Sequence, residues 1–337
     1  MKNVLLLLAA TLTCALAMQA ESGYRVTARY PVSGTGGWDY ITFDGGLHRL
    51  FVAHSTQVNV LDSDTGKEVG VVPDTPGVHG IAVARELKRA FTSNGKEDKV
   101  SIFDPETLNV IGKVDVGKGP DGIYLHRATL RVFTCNHGSH DITAIDAQSG
   151  KVVGTVALQG DGEQMTAGQD NTIWVNVEDT SEVVSFDAMT LKVLKRFKIE
   201  GATTPTGLVY DRKHDRIITS CRSKSMVVMN GWTGKKIRSY PIGAGVDASA
   251  WDIDTGLIYV STGEGVLNIF HQKSADDYED LGAVKTQPSA KTMALDKKNK
   301  RVFLPAAEMI ETPAAEPGGR PTRTVKEGSF VVLVVSK

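Results

Sequence analysis

Two histidines share one short polar segment, Asn136-His137-Gly138-Ser139-His140, while His79 and Asp121 open short apolar runs elsewhere in the chain. Neutral imidazole and carboxylate are ordinary ligands of zinc, copper and iron. His79, His137, His140 and Asp121, with His54 nearby, are therefore a candidate open metal site. The His-x-x-His lies in a turn-rich segment rather than on a helix, and no cysteine pair accompanies it, so solvated loop histidines are the default reading. There is no Cys-x-x-Cys-His for covalent haem. No cofactor is expected; a divalent metal on this set is the exception the residues allow.

A second set is acidic. Asp39, Asp121, Asp247 and Glu163, with His79 and Gln164, offer the groups a hydrolase or lyase uses with a divalent cation. Carboxylates crowded into one wet opening would raise one another's pKa, as a general acid requires. No Gly-x-Ser-x-Gly nucleophile turn is present. The basic run Lys192, Lys195, Arg196 and Lys198 reads as an edge strand guarded against pairing rather than a nucleic-acid surface. A formal net charge of −1 gives no global pull toward polyanions.

A repeat must position these groups. Val60-Leu61-Asp62 precedes Thr65-Gly66, Ile102-Phe103-Asp104 precedes Thr107, and Ala144-Ile145-Asp146 precedes Ser149-Gly150. Ser185-Phe186-Asp187, Val228-Met229-Asn230 and a degenerate Ile269-Phe270-His271 follow, each 41 to 43 residues after the last. Strand-bearing units of that period are the blades of a β-propeller. In the second unit, residues 80–83, 90–93, 100–103 and 109–116 read as four short antiparallel strands. The Asp of the turn can accept backbone N–H bonds, and Gly tolerates positive φ.

The chain ends complete each other. Residues 24–32 look like a fourth strand without its first three, whereas residues 291–304 and 329–335 look like three strands without a fourth. Joining them closes a ring of seven four-stranded blades and leaves no exposed gap between strand edges. Apolar content of 41% and charge of 23% suit such a globular domain and argue against disorder.

The pattern resembles the periplasmic propellers of YVTN repeats typified by the YncE-like proteins. Residues 99–104 with Thr107, Val110, Ile111, Val116-Gly117, Pro120 and Gly122-Ile123 look like one full repeat. Ile258-Tyr259-Val260-Ser261 and Leu50-Phe51-Val52-Ala53 are similar to its signature strand, and the resemblance spans residues 24–337. It implies the architecture and says little about activity. It also brings in single-stranded DNA, with which some of these relatives are associated.

Export is expected from the first twenty residues. Lys2, the apolar Val4–Ala10 and the small-x-small Ala15-Leu16-Ala17 form a cleavable leader, which leaves residues 21–337 as one periplasmic or secreted domain. No membrane span is expected. Cys135 and Cys221 fall a whole blade apart and read as two buried thiols rather than a bridge.

Strand order assigns the faces. Turns between strands one and two, and between three and four, share one rim and are short and uniform. The opposite rim carries variable loops, the longest running from Ala306 to Gly328. Beside those loops the innermost strands begin with Asp39, His79, Asp121, Gln164, Thr206, Asp247 and Lys291, a polar ring expected at the channel mouth. The reading is a monomeric, non-catalytic binding scaffold, holding a protein, peptide or small molecule at Asp39, His79, Asp121, Gln164, Arg222, Asp247 and Lys291. The alternative is a metal-dependent hydrolase, lyase or oxidoreductase accessory on the same face.

Overall fold

The computed structural model describes residues 22–312 and 322–337. The expected leader therefore lies outside the described residues. Seven four-stranded antiparallel sheets surround a central axis. Blades 1 to 6 span residues 38–72, 78–115, 120–156, 162–198, 205–241 and 246–285. Blade 7 takes Ala294–Asp296, Arg301–Ala306 and Val331–Ser336 from the end of the chain and Arg25–Pro31 from its start. In that closing pair Val26 faces Val335 and Tyr30 faces Val332. One 3-10 turn, Arg85–Leu87, is the only helical element among the described residues, and none is long and apolar enough to cross a membrane.

Each blade is built of the four short antiparallel strands the repeat predicts. Its second and third strands are buried on both faces, as in Leu50-Phe51-Val52-Ala53. Every pair of neighbouring blades shares an apolar cluster, including Tyr30, Val32, Phe303 and Val332 of blade 7 with Ile41, Leu50 and Leu61 of blade 1. Closure is thus cemented by the same burial that joins the other blades.

The repeated Asp performs its predicted turn chemistry. Asp62 Oδ1 accepts from the Thr65 amide at 2.8 Å and from the Thr65 hydroxyl at 2.7 Å. Asp104, Asp146, Asp187 and Asn230 accept equivalent amide bonds. Gly66 closes its turn at φ +72°; Leu108 and Leu191 hold that left-handed position in blades 2 and 4 and pack on neighbouring clusters instead. Cys135 and Cys221 are free, buried thiols.

The excursion after blade 7's second strand contains a two-stranded ribbon, Met309–Thr312 against Thr322–Val325, standing over the loop-rich rim. Its tip lies outside the described residues.

Candidate functional site

The innermost strands break their alternation at the mouth. In blades 1 to 6 the pairing of strands one and two shifts register between Trp38 and Ile41, Val78 and Ile81, Pro120 and Ile123, Gly162 and Met165, Pro205 and Gly207, and Val246 and Ala248. Such bulges re-aim the side chain within them. They also fix the equivalences: Glu163, not Gln164, occupies the position of Asp39, His79 and Asp121. The expectation that Gln164 belongs to the ring is corrected on this ground. Its Nε2 donates to the Ser249 carbonyl at 2.9 Å, and its Oε1 accepts from the Leu208 and Ser249 amides at 3.0 and 3.1 Å. Gln164 therefore staples blades 4, 5 and 6 together. Thr206 is buried and donates to the Val246 carbonyl at 2.8 Å, so it too offers nothing to the mouth.

The next position down is small where neighbouring strands approach the axis. A Cβ on Gly122 would lie 2.8 Å from the Glu163 carbonyl oxygen, and one on Gly207 2.9 Å from the Ser249 amide nitrogen. Backbone cannot yield there, so these glycines set how tightly the ring closes.

The remaining ring residues form one charged network. His79 Nδ1 donates to Asp39 Oδ2 at 2.7 Å and lies 3.4 Å from Asp121 Oδ2. Lys291 reaches Asp39 Oδ1 at 3.2 Å and also bonds Asp247. Arg222, placed by the loop after blade 5's second strand, bridges Asp247 Oδ1 and Glu178 Oε1, each at 2.7 Å. Tyr40 crosses the channel from blade 1 and donates to Glu163 Oε2 at 3.1 Å. Tyr40 and Glu178 were not foreseen; each acts on a residue three blades away or on a neighbouring loop, which local spacing does not encode. Glu163, already a member of the acidic candidate set, could have been placed in the ring by aligning His79-Gly80-Ile81 and Asp121-Gly122-Ile123 with Glu163-Gln164-Met165.

Electrostatics divides the acids. Burial pushes the Asp39 carboxyl up, but the His79 hydrogen bond and the Lys291 charge together hold it below the usual range. Burial also lowers His79, yet its bond to Asp39 and the nearby Asp121 charge leave it above an ordinary histidine. Asp121 is raised by burial despite His79. Glu163 is raised well above ordinary carboxylates, first by burial, then by the Asp121 charge and the hydrogen bond with Glu178. Burial and the Asp39 and Asp247 charges act oppositely on Lys291, and the charges win, raising it. Glu163 thus favours its protonated form while Asp39 of the same mouth is held ionised, the kind of split an acid–base site uses. The Cys135 thiol donates to the Glu163 carbonyl at 3.7 Å, but burial pushes it well above the ordinary thiol range, which makes it a poor nucleophile.

The expected metal set does not assemble as one. Asp39, His79 and Asp121 bring donor atoms together, while His140 belongs to a separate exposed group with Asp161 and Asp179. His140 Nδ1 pairs with Asp161 Oδ1 at 2.9 Å, and the loop between His137 and His140 turns their rings apart. His137 donates through Nε2 to the Gly162 carbonyl at 2.9 Å, and its Nδ1 stands 3.9 Å from Asp121. His54 is buried on Phe330 and bonds Asn59 at 2.9 Å, away from the mouth. A divalent ion at Asp39–His79–Asp121 would have to displace the His79 proton and compete with the Lys291 ammonium for the same oxygens. The donors fit an internal salt-bridge network better than a metal.

The basic run of blade 4 is likewise internally engaged. Arg196 pairs with Glu182 at 2.6 Å, and Lys195 donates to the Gly231 carbonyl at 2.9 Å while lying 4.3 Å from the Trp232 ring.

Above the network lies a cleft of about 1390 Å³. Arg222, Asp247 and Lys291 contribute to its lining, as do Glu308, Met309 and Arg323 of the excursion.

No family model matches the chain, and no curated protein matches it. Among solved structures, it is similar to the RRP9 WD40 repeats, at TM-score 0.76 and 10% identity, over 94% of this chain and 99% of that one. Hydrazine synthase from Kuenenia stuttgartiensis matches at TM-score 0.69 and 15% identity, over 88% and 97%. A chain of the Mitotic Checkpoint Complex matches at TM-score 0.73 and 14% identity, over 90% and 95%. At these identities the likeness is one of fold, a seven-bladed β-propeller.

Proposed function

We propose that the chain is an exported, YncE-like binding propeller that holds an extended peptide segment of a partner protein on its loop-rich rim. The observation that carries this reading is the cleft between the ribbon and the loops of blades 5 to 7. Its floor is a fixed network of both charge signs, with Arg222 and Lys291 beside Asp247. Its outer wall exposes Met309, with Ile310 beside it on the ribbon. A rigid floor with mixed charge and an apolar flank suits a peptide, whose backbone needs donors and acceptors and whose side chains need alternating pockets. The ring supplies pre-organised positions, so little ordering entropy opposes binding. Propellers in assemblies such as the Mitotic Checkpoint Complex make protein association a reasonable use of the fold. Residues 1–20 would direct the chain to the periplasm or outside the cell as a monomer.

A photo-crosslinking residue in place of Met309 tests this, with one in place of Trp232 on the short-turn rim as control. Adducts from 309 that disappear on Arg323→Glu are expected. Equal labelling from both positions, or none from 309, contradicts the proposal.

A further inference from the structure

Below the network, the central channel is a separate cavity of about 650 Å³. Its inner end is closed by Glu163, Gln164 and Tyr40, the residues that tie the blades together across the axis. It therefore opens toward the opposite, short-turn rim. That rim carries the short, uniform turns.

The opening is not uniform. Tyr124 and Trp251 contribute aromatic surface to the walls, and the buried indole N–H of Trp251 has no acceptor among the described residues. Ile253, more than half exposed, stands at the rim beside it. Arg212 from the first turn of blade 5 and Lys297 from that of blade 7 flank this apolar edge. In the blade 6 turn Asp252 and Asp254 flank Ile253, but neither lines the cavity. Asp211 bonds His214 and Gln272, and Asp296 bonds Asn299 and Arg301. Neither Arg212 nor Lys297 enters a salt bridge with them among the described residues. Among the described residues, the charged side chains that line the outer end of this aromatic-walled, blind-ended cavity of ligand size are thus two cations, Arg212 and Lys297. A guanidinium and an ammonium at such an entrance favour an anion, and apolar walls favour a flat body behind it.

We propose that this opening is a second binding site, taking a flat, largely apolar small molecule with an anionic group at its outer end and a hydrogen-bonding group at its inner end. The inner group meets Glu163 and Tyr40. The anionic group stays at the rim with Arg212 and Lys297. This site lies on the other face from the peptide cleft and does not depend on it.

The test uses a fluorescent probe of that shape, 6-hydroxynaphthalene-2-sulfonate, followed by fluorescence polarisation on the whole protein. Saturable binding at one site is expected. The Arg212→Glu/Lys297→Glu double variant, altered at two exposed turn positions, should bind at least tenfold more weakly. 2-Naphthol, which lacks the sulfonate, should bind the native protein at least tenfold more weakly than the probe and be indifferent to the double variant. Glu163→Gln keeps a neutral hydrogen-bonding group and should retain binding within about threefold. Arg323→Glu, on the ribbon, should leave probe binding unchanged, which separates this site from the cleft. No saturable binding up to about 1 mM, equal affinity in the double variant, or loss on Arg323→Glu overturns the proposal.

Discussion

Replacing Lys291 by Met leaves two acids facing each other across the mouth without their shared cation. Asp39 and Asp247 expose only 14% and 5% of their side chains, whereas Lys291 exposes 36%. At an effective dielectric near 20, an ammonium 3.2 Å from a carboxylate oxygen gains roughly 5 kcal/mol before desolvation. Most of that gain offsets the cost of burying the charges, so the net value of the pair is small. Removing one partner is different, because Asp39 and Asp247 stay buried with only His79 and Arg222 to compensate them; a fully uncompensated charge costs about 3–5 kcal/mol. The partial exposure of Lys291 places the expected loss at the lower end, about 3 kcal/mol. For a chain of this size that lowers Tm by about 4–5 °C.

The loss should depend on pH. Lys291 helps to hold Asp39 below the usual range. A depressed carboxylate contributes stability above its unfolded pKa, and that stability is lost as pH falls through the folded value. Without Lys291 the Asp39 carboxyl rises, so the penalty should be full at pH 7 and shrink toward pH 4 as the acids take protons. Near-UV circular dichroism melts of the native, Lys291→Met, Asp247→Asn and double variants supply the cycle. A Lys291→Met penalty under about 0.5 kcal/mol, or one that grows on acidification, refutes the reasoning.

The turn acids and the metal question give two further predictions. Asp62→Ala removes the acceptor of three hydrogen bonds and should cost about 1 kcal/mol by urea unfolding. Asp62, Asp104, Asp146 and Asp187 all sit below the ordinary range, held chiefly by hydrogen bonds within their own turns. Their contribution should therefore be constant above about pH 4 and fall away below it, with a shallower acid limb when all four are Ala. Elemental analysis of dialysed protein should find no stoichiometric metal, because His79 and Lys291 already neutralise Asp39. One metal per chain that vanishes on His79→Gln would contradict that account and favour the metal-dependent alternative.

The architecture was legible because each repeat carries its own turn chemistry. Asp62 and its equivalents announce a local event, and the incomplete ends, 24–32 and 329–335, announce closure. The mouth was legible only in part. Asp39, His79, Asp121, Asp247 and Lys291 could be placed by counting, and they do meet. Gln164 could not, since a bulge shifts the alternation by one at the ring and substitutes Glu163; Thr206 does hold a ring position, but its hydroxyl turns to the Val246 carbonyl. Arg222 bonding Glu178, and Tyr40 bonding Glu163, join residues that sequence alone keeps far apart. The separation of His140 from His79 reflects loop direction, which a His-x-x-His spacing does not fix.

The contact between Asp39 of the first blade and Lys291 of the last exists only if the terminal strands complete one sheet. Ala28 and Val334 are facing partners in that sheet, within the reach a disulfide requires. An Ala28→Cys/Val334→Cys variant, oxidised while folded, should form an intrachain disulfide in essentially every molecule. Thiols that stay free under those conditions, or that link different chains instead, would show that the ring does not close this way.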